Sequence, residues 1–250
     1  MSEPFSPVPG ADAVGSAAFA PRRAFLLHPT VRRLAVAHFV IDWFSNTLPP
    51  MLPLLVPRLG LSLAGTGALT MVFQLSSSVS QILFGNWSDR GHAIKLAWAG
   101  LAGAALGLGL LGLATSWWWL VAGLVVGGLG VAAFHPPGAL LAHRFSQGRP
   151  GHSMAIYVTS GTMGFALGPM AVASVAQRYG LPATAWLVIP LVALGAYALH
   201  GAAEPGPVGG TRPRGFGFAA LRPYAKPLAL LYFIVVIRGF VSAVVTTFLP

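Results

Sequence analysis

Long apolar stretches separated by short polar or charged breaks dominate the chain from residue 34 onward. They cover residues 34–56, 64–84, 96–114, 117–142, 153–176, 184–202 and 228–249. Each is close to the roughly 20 residues that an α-helix needs to cross a bilayer. None shows the alternation over ten-residue units that marks a transmembrane barrel. Backbone in lipid must satisfy its own N–H and C=O groups, so the pattern predicts seven transmembrane helices in an all-α polytopic membrane protein. The third stretch carries GLAGAALGLGLLG, a small-residue face suited to close helix packing. Trp117, Trp118 and Trp119 open the fourth stretch as an interfacial aromatic belt.

The segments outside these stretches set the organisation. Residues 1–30 are rich in Pro, Ala, Gly and Ser and predict a disordered cytoplasmic tail. A cleaved signal peptide is not expected, because the run from Leu34 is too long for one and no small-residue cleavage site follows it. A six-helix bundle then occupies 31–203, a Pro-, Gly- and Arg-rich cytoplasmic linker 204–226, and a seventh helix 227–250. Six closely spaced helices, a basic linker and an orphan helix look like one and a fraction of two similar halves. The expectation is a truncated form of a protein with about twelve helices, lacking most of its C-terminal half.

Composition agrees with the pattern. Hydrophobic residues make up 55% of the chain and charged residues 8%, with a mean hydropathy of +0.73. A soluble domain carries about 25% charged residues to solvate its surface, so a water-facing shell is excluded. The 15 Lys+Arg against 5 Asp+Glu give a formal charge of +10. In a soluble protein that balance would suggest nucleic acid as a partner. Here Arg22, Arg23, Arg32, Arg33, Arg90, Lys95, Arg144, Arg149, Arg212, Arg214, Arg222 and Lys226 occupy the tail and alternate loops, while the opposite loops hold Arg58 and Arg178. The positive-inside rule therefore predicts an inner-membrane protein with a cytoplasmic N-terminus, and no nucleic-acid partner. The chain has no cysteine, which excludes disulfides, thiolate metal sites and cysteine nucleophiles.

Few residues within the spans can carry chemistry. A charge at mid-bilayer costs at least about 2.5–3.5 kcal/mol, so such residues face a cavity or a partner. Asp42 is the acid within a span and Arg238 the base, and His135 lies deeper than a loop residue. His38 lies near the first interface and reads as packing, as His200 reads as interfacial at the end of the sixth stretch. From rises of about 1.5 Å per residue, Asp42, His135 and Arg238 fall at similar depths, so a shared cavity is expected, with a structural Arg238 as the alternative. Asn46 and Gln74 are candidate polar lining. The serine run Ser76-Ser77-Ser78 with Ser80 either bonds back to its own helix or lines that cavity. The spacing shows no metal cluster, phosphate loop or cofactor motif. The Gly-x-Ser-Gly context of an intramembrane serine protease is missing, since Val158-Thr159 precede Ser160-Gly161.

Two motifs carry a resemblance. The second-to-third loop reads Gly85-Asn86-Trp87-Ser88-Asp89-Arg90, and the fifth stretch holds Gly161-Thr162-Met163-Gly164-Phe165-Ala166-Leu167-Gly168-Pro169. The first resembles the G-x-x-x-D-R loop signature of the major facilitator superfamily. The second resembles the glycine-rich fifth-helix motif of its drug/proton antiporters. With His38 to Pro49, Phe134-His135-Pro136-Pro137-Gly138-Ala139 and Arg238, the chain is similar to the fosmidomycin-resistance type of efflux transporter over residues 30–250. The resemblance implies a bundle of inverted three-helix repeats and proton-coupled export of a small drug-like or amphipathic molecule. It implies that Asp89 faces a helix N-terminus, that Arg90 pairs across the half and that Pro169 kinks its helix. The loop departs after Arg90, where Gly91 comes one residue early and Lys95 stands for a basic pair. Pro137 replaces a carboxylate frequent in relatives, so coupling must rest on Asp42, His135 or the missing half. Uptake of a metabolite, or a non-transporting membrane scaffold or enzyme, are the alternative readings.

Overall fold

The computed structural model describes residues 27–202 and 222–248, and every regular element among them is helical. The chain divides into two compact units, Met1–Gly206 and Pro207–Pro250.

In the first unit the first apolar stretch is not one helix. It breaks into α1 (Pro29–Ser45) and α2 (Leu48–Leu59). Pro49 and Pro50 have no N–H to donate back, so α1 stops ahead of them, and the hydroxyl of Thr47 caps it by donating to Phe44 O at 2.9 Å. The second and third spans are α3 (Leu63–Trp87) and α4 (Ala93–Gly107). They are joined by a π-type turn at Ser88–His92 in which Gly91 adopts φ +89°. That conformation strains any residue with a Cβ, and it lets α4 run back antiparallel to α3. The third stretch finishes in a 3-10 turn, Leu111–Leu113. α5 (Trp117–Arg144) and α6 (Pro150–Tyr179) form the fourth and fifth spans. The sixth begins as a 3-10 segment, Leu181–Leu187, and continues as α7 (Val188–His200).

Glycines record which helices touch and in which sense. Gly100, Gly103 and Gly107 of α4 lie against Phe134, Gly130 and Gly127 of α5, so these helices pack antiparallel with backbones in contact. Gly65 lies against Trp117 and Gly128 against Ser76, which makes α3 and α5 parallel. Gly164 and Gly168 of α6 meet the backbone of Phe39 and Trp43, which makes α1 and α6 parallel. First-with-fifth and second-with-fourth are the same pairing once the two sets of three spans are exchanged. The bundle is therefore built from two inverted three-helix repeats, α1–α4 and α5–α7. Its core runs through Leu34, Ile41, Phe44, Leu69, Leu108, Leu124 and Phe134, all fully buried.

Leu63–Leu113, Trp117–Arg144, Pro150–Tyr179 and Leu181–His200 are each long and apolar enough to cross a membrane, and the first of these contains two spans turned at Gly91. Exposed Leu63, Ile82, Trp118, Trp186 and Tyr197 give the bundle an apolar outer surface. The second unit contains α8 (Ala225–Phe248), which starts two residues before the expected boundary. Most of the expected tail and linker lies outside the described residues.

Candidate functional site

Asp42 is the centre of a three-residue cluster inside the bundle. It follows His38 by one turn of α1, which places both side chains on the same helix face. His38 Nε2 lies 3.2 Å from Asp42 Oδ2. From α5, His135 Nε2 lies 3.1 Å from Asp42 Oδ1. The depth arithmetic set Asp42 and His135 level, and they are in contact. Sequence alone suggested packing for His38, and the structure gives it more than that. It is the third member of the cluster, and its i,i+4 spacing from Asp42 was the available signal.

Backbone carbonyls orient both imidazoles. His38 Nδ1 donates to Tyr157 O at 2.8 Å, and His135 Nδ1 donates to Val131 O at 2.8 Å. A carbonyl only accepts, so hydrogen-bond geometry assigns a proton to each Nδ1. Each Nε2 is then turned toward the carboxylate. A neutral ring with Nδ1–H presents a lone pair there, which would face the lone pairs of Asp42. Each N···O contact therefore needs one proton between its atoms. With both contacts closed, the cluster carries two protons besides those on Nδ1, shared among His38, Asp42 and His135. Losing one leaves an N···O pair without a proton, and that pair must separate.

Burial makes this exchange consequential. The side chains of His38 and Asp42 are 7% and 17% exposed, while His135 is 26% exposed and forms the accessible side of the cluster. His38 stacks on Tyr157 with ring centroids 4.1 Å apart and on Phe134 at 6.0 Å. Candidate ligand atoms of His38, Asp42 and His135 lie within 4.8 Å of one another, a grouping that sequence spacing did not show. The two rings engage different carboxylate oxygens at hydrogen-bond distance, an arrangement that suits shared protons better than a common metal.

The glycine motif of α6 packs on this part of α1. Gly164 and Gly168 abut the backbone of Phe39 and Trp43, whereas Gly161 abuts the Asp42 carboxylate and the His38 ring. α6 continues through Pro169 without interruption. A model of the Major Facilitator Superfamily matches residues 34–250.

The chain belongs to that superfamily. It is 31% identical over 192 residues to the fosmidomycin resistance protein of Escherichia coli K12, an alignment covering 76% of this chain and 45% of that protein. It is 25% identical over 163 residues to the uncharacterized MFS-type transporter YfnC of Bacillus subtilis 168, covering 65% and 40%. Against the multidrug resistance protein MdtG of Citrobacter koseri the identity is 34% over 163 residues, covering 60% and 39%. The chain thus spans less than half the length of these relatives.

Within this superfamily framework the other candidate residues fall in distinct places. Asn46 donates from Nδ2 to Phe165 O at 3.0 Å, a polar link between α1 and α6 just past the cluster. Gln74 is exposed on α3 and is not among the cluster's contacts. Ser76 and Ser77 donate to Val72 O and Gln74 O, so these hydroxyls bond back to their own helix. Gly85 approaches Pro136, and Asp89 and Arg90 are exposed on the turn that follows. Arg238 is exposed on α8, in the second unit.

Proposed function

We propose that this chain belongs to a secondary active transporter of the inner membrane, with a cytoplasmic N-terminus, that exports a small drug-like or amphipathic molecule by alternating access in exchange for protons. Family membership and the resistance-named relatives support the transport class and the direction. The proton-coupling step rests on one observation, the hydrogen bond between Asp42 of the first repeat and His135 of the second. That bond closes only with a proton in it, so gaining or losing the proton remakes the α1–α5 contact inside one six-helix half, and transporters of this kind expose a central site to either side by rocking one half against the other. His135 is the accessible partner, and Asp42 between two imidazoles is the residue that passes the proton on.

The test is Asp42→Asn in the reconstituted transporter. Flux driven by a pH gradient is expected to disappear while expression and helical content are retained. Gradient-driven flux equal to that of the unaltered protein would overturn the proposal.

A further inference from the structure

The fifth-span motif is expected to serve helix packing, yet one of its glycines faces side chains of the cluster instead of backbone. Cβ atoms on Gly164 and Gly168 would strike the carbonyls of Phe39 and Trp43. A Cβ on Gly161 would strike Asp42 Oδ2 and lie 2.5 Å from His38 Cε1 and 2.7 Å from His38 Nδ1. One turn earlier, Tyr157 stacks on the His38 ring at 4.1 Å and an interplanar angle of 13°, and its carbonyl accepts the His38 Nδ1–H at 2.8 Å. One face of α6 thus touches the His38–Asp42 pair by ring stacking, by a hydrogen bond and by a close approach that leaves no room for a Cβ on Gly161. Tyr157 itself is buried at 2% exposure, with its hydroxyl against Gly138 of α5.

We propose that Tyr157 and Gly161 are positioning residues for the proton-sharing cluster: together they form a seat on α6 that holds His38 with Nε2 toward Asp42. The inference rests on the proton-coupling reading and extends it to a third helix. Without the seat, His38 can rotate or change tautomer, and Asp42 loses one of its two partners. A shift of α6 along α1 by a fraction of a turn would carry Tyr157 O and the Gly161 gap away from the ring. Helix movement and proton release are then the same event at this site. Among the described residues, the titratable groups facing the pair are His135 from α5 and Tyr157 from α6. α4 and α7 also pack on α1, but their titratable groups, Lys95, Tyr197 and His200, are exposed and make no described contact with the cluster.

The test is ¹⁵N-histidine NMR of the purified chain in lipid nanodiscs, with Gly161→Ala compared with Gly168→Ala. In the unaltered chain His38 is expected as a single form protonated at Nδ1. Gly161→Ala is expected to mix tautomers at His38, while Gly168→Ala, which meets only backbone, leaves that single form unchanged. Equal effects of the two substitutions, or none from Gly161→Ala, would overturn the proposal. Should Gly161→Ala fail to fold, Tyr157→Leu removes the stacked ring without adding atoms beside Asp42 and must also free His38; an unchanged His38 signal in it would be fatal to the seat. If the NMR result holds while Asp42→Asn transports normally, the seat stands and the proton-coupling reading falls.

Discussion

Asp42 on α1 and His135 on α5 are 3.1 Å apart across the interface between the two three-helix repeats. Each is mostly buried, and each leaves the other without a hydrogen-bond partner on that side when removed. A buried polar group stripped of its partner costs about 1–3 kcal/mol. Asp42→Ala and His135→Ala are therefore each expected to destabilise the bundle by that order, and the double substitution by clearly less than the sum. Contacting residues show interaction energies of roughly 0.5–3 kcal/mol in such cycles. Unfolding of the four proteins in detergent measures it, and additivity within about 0.5 kcal/mol would show that the two residues do not act as a pair.

Close glycine packing makes a second prediction. A Cβ on Gly107 would collide with the backbone of Gly127 and Gly123, atoms that cannot step aside as a flexible side chain can. Gly107→Ala is expected to lower stability by about 1–3 kcal/mol through overpacking. Gly67 also lies within a helix, and nothing lies within 4 Å of its would-be Cβ. Gly67→Ala is expected to be neutral or stabilising, since Ala is the better helix former by about 1 kcal/mol. Thermal unfolding that ranks the two variants the other way would contradict the α4–α5 packing.

The sequence made the spans legible because lipid removes most alternatives. A backbone run of twenty apolar residues must be helical there. The break of the first stretch at Asn46–Thr47 was not legible in this way: Pro49 and Pro50 carry that signal, but proline is tolerated within membrane helices, so the pair alone does not force a break. Asp42 and His135 were legible as costly residues at matching depth. Their contact was not, because depth says nothing of rotation about a helix axis. His38 was misread as packing for the same reason: its burial fits that reading, and only its Nδ1 bond to Tyr157 O and its Nε2 contact with Asp42 reveal its part. The glycine motif was legible as a place of close approach, but not which of its members meets side chains.

A third prediction concerns the turn between the second and third spans. Gly91 has φ +89°, with nothing within 4 Å of a would-be Cβ, so a substitution there tests backbone conformation alone. L-residues in the left-handed region pay roughly 1–2 kcal/mol. Gly91→Ala is expected to destabilise by that amount, whereas Gly151→Ala, at a helix start with open space and no positive φ, is expected to be neutral. Equal stability of the two variants would mean that the turn tolerates a side chain and does not depend on glycine.

The last prediction is the orientation of the bundle. α1 begins, α5 ends and α6 begins at one end, where His28 stacks on Phe145 at 4.9 Å and Arg33 lies 5.8 Å over the Tyr197 ring near the close of α7. Arg32, Arg33, Arg144 and Arg149 therefore gather at that end, and the length of α6 carries Arg178, in its last turn, to the other. Positive charge near span ends is retained on the cytoplasmic side, so the Arg144 end is expected to face the cytoplasm. The absence of native cysteine makes single-cysteine labelling direct. Arg90→Cys and Arg144→Cys, both at exposed positions, are expected to react with an impermeant maleimide only after the cells are opened, and Arg178→Cys before. Labelling of Arg90→Cys and Arg144→Cys on intact cells, with Arg178→Cys protected, would invert the orientation and with it the side from which His135 takes its proton.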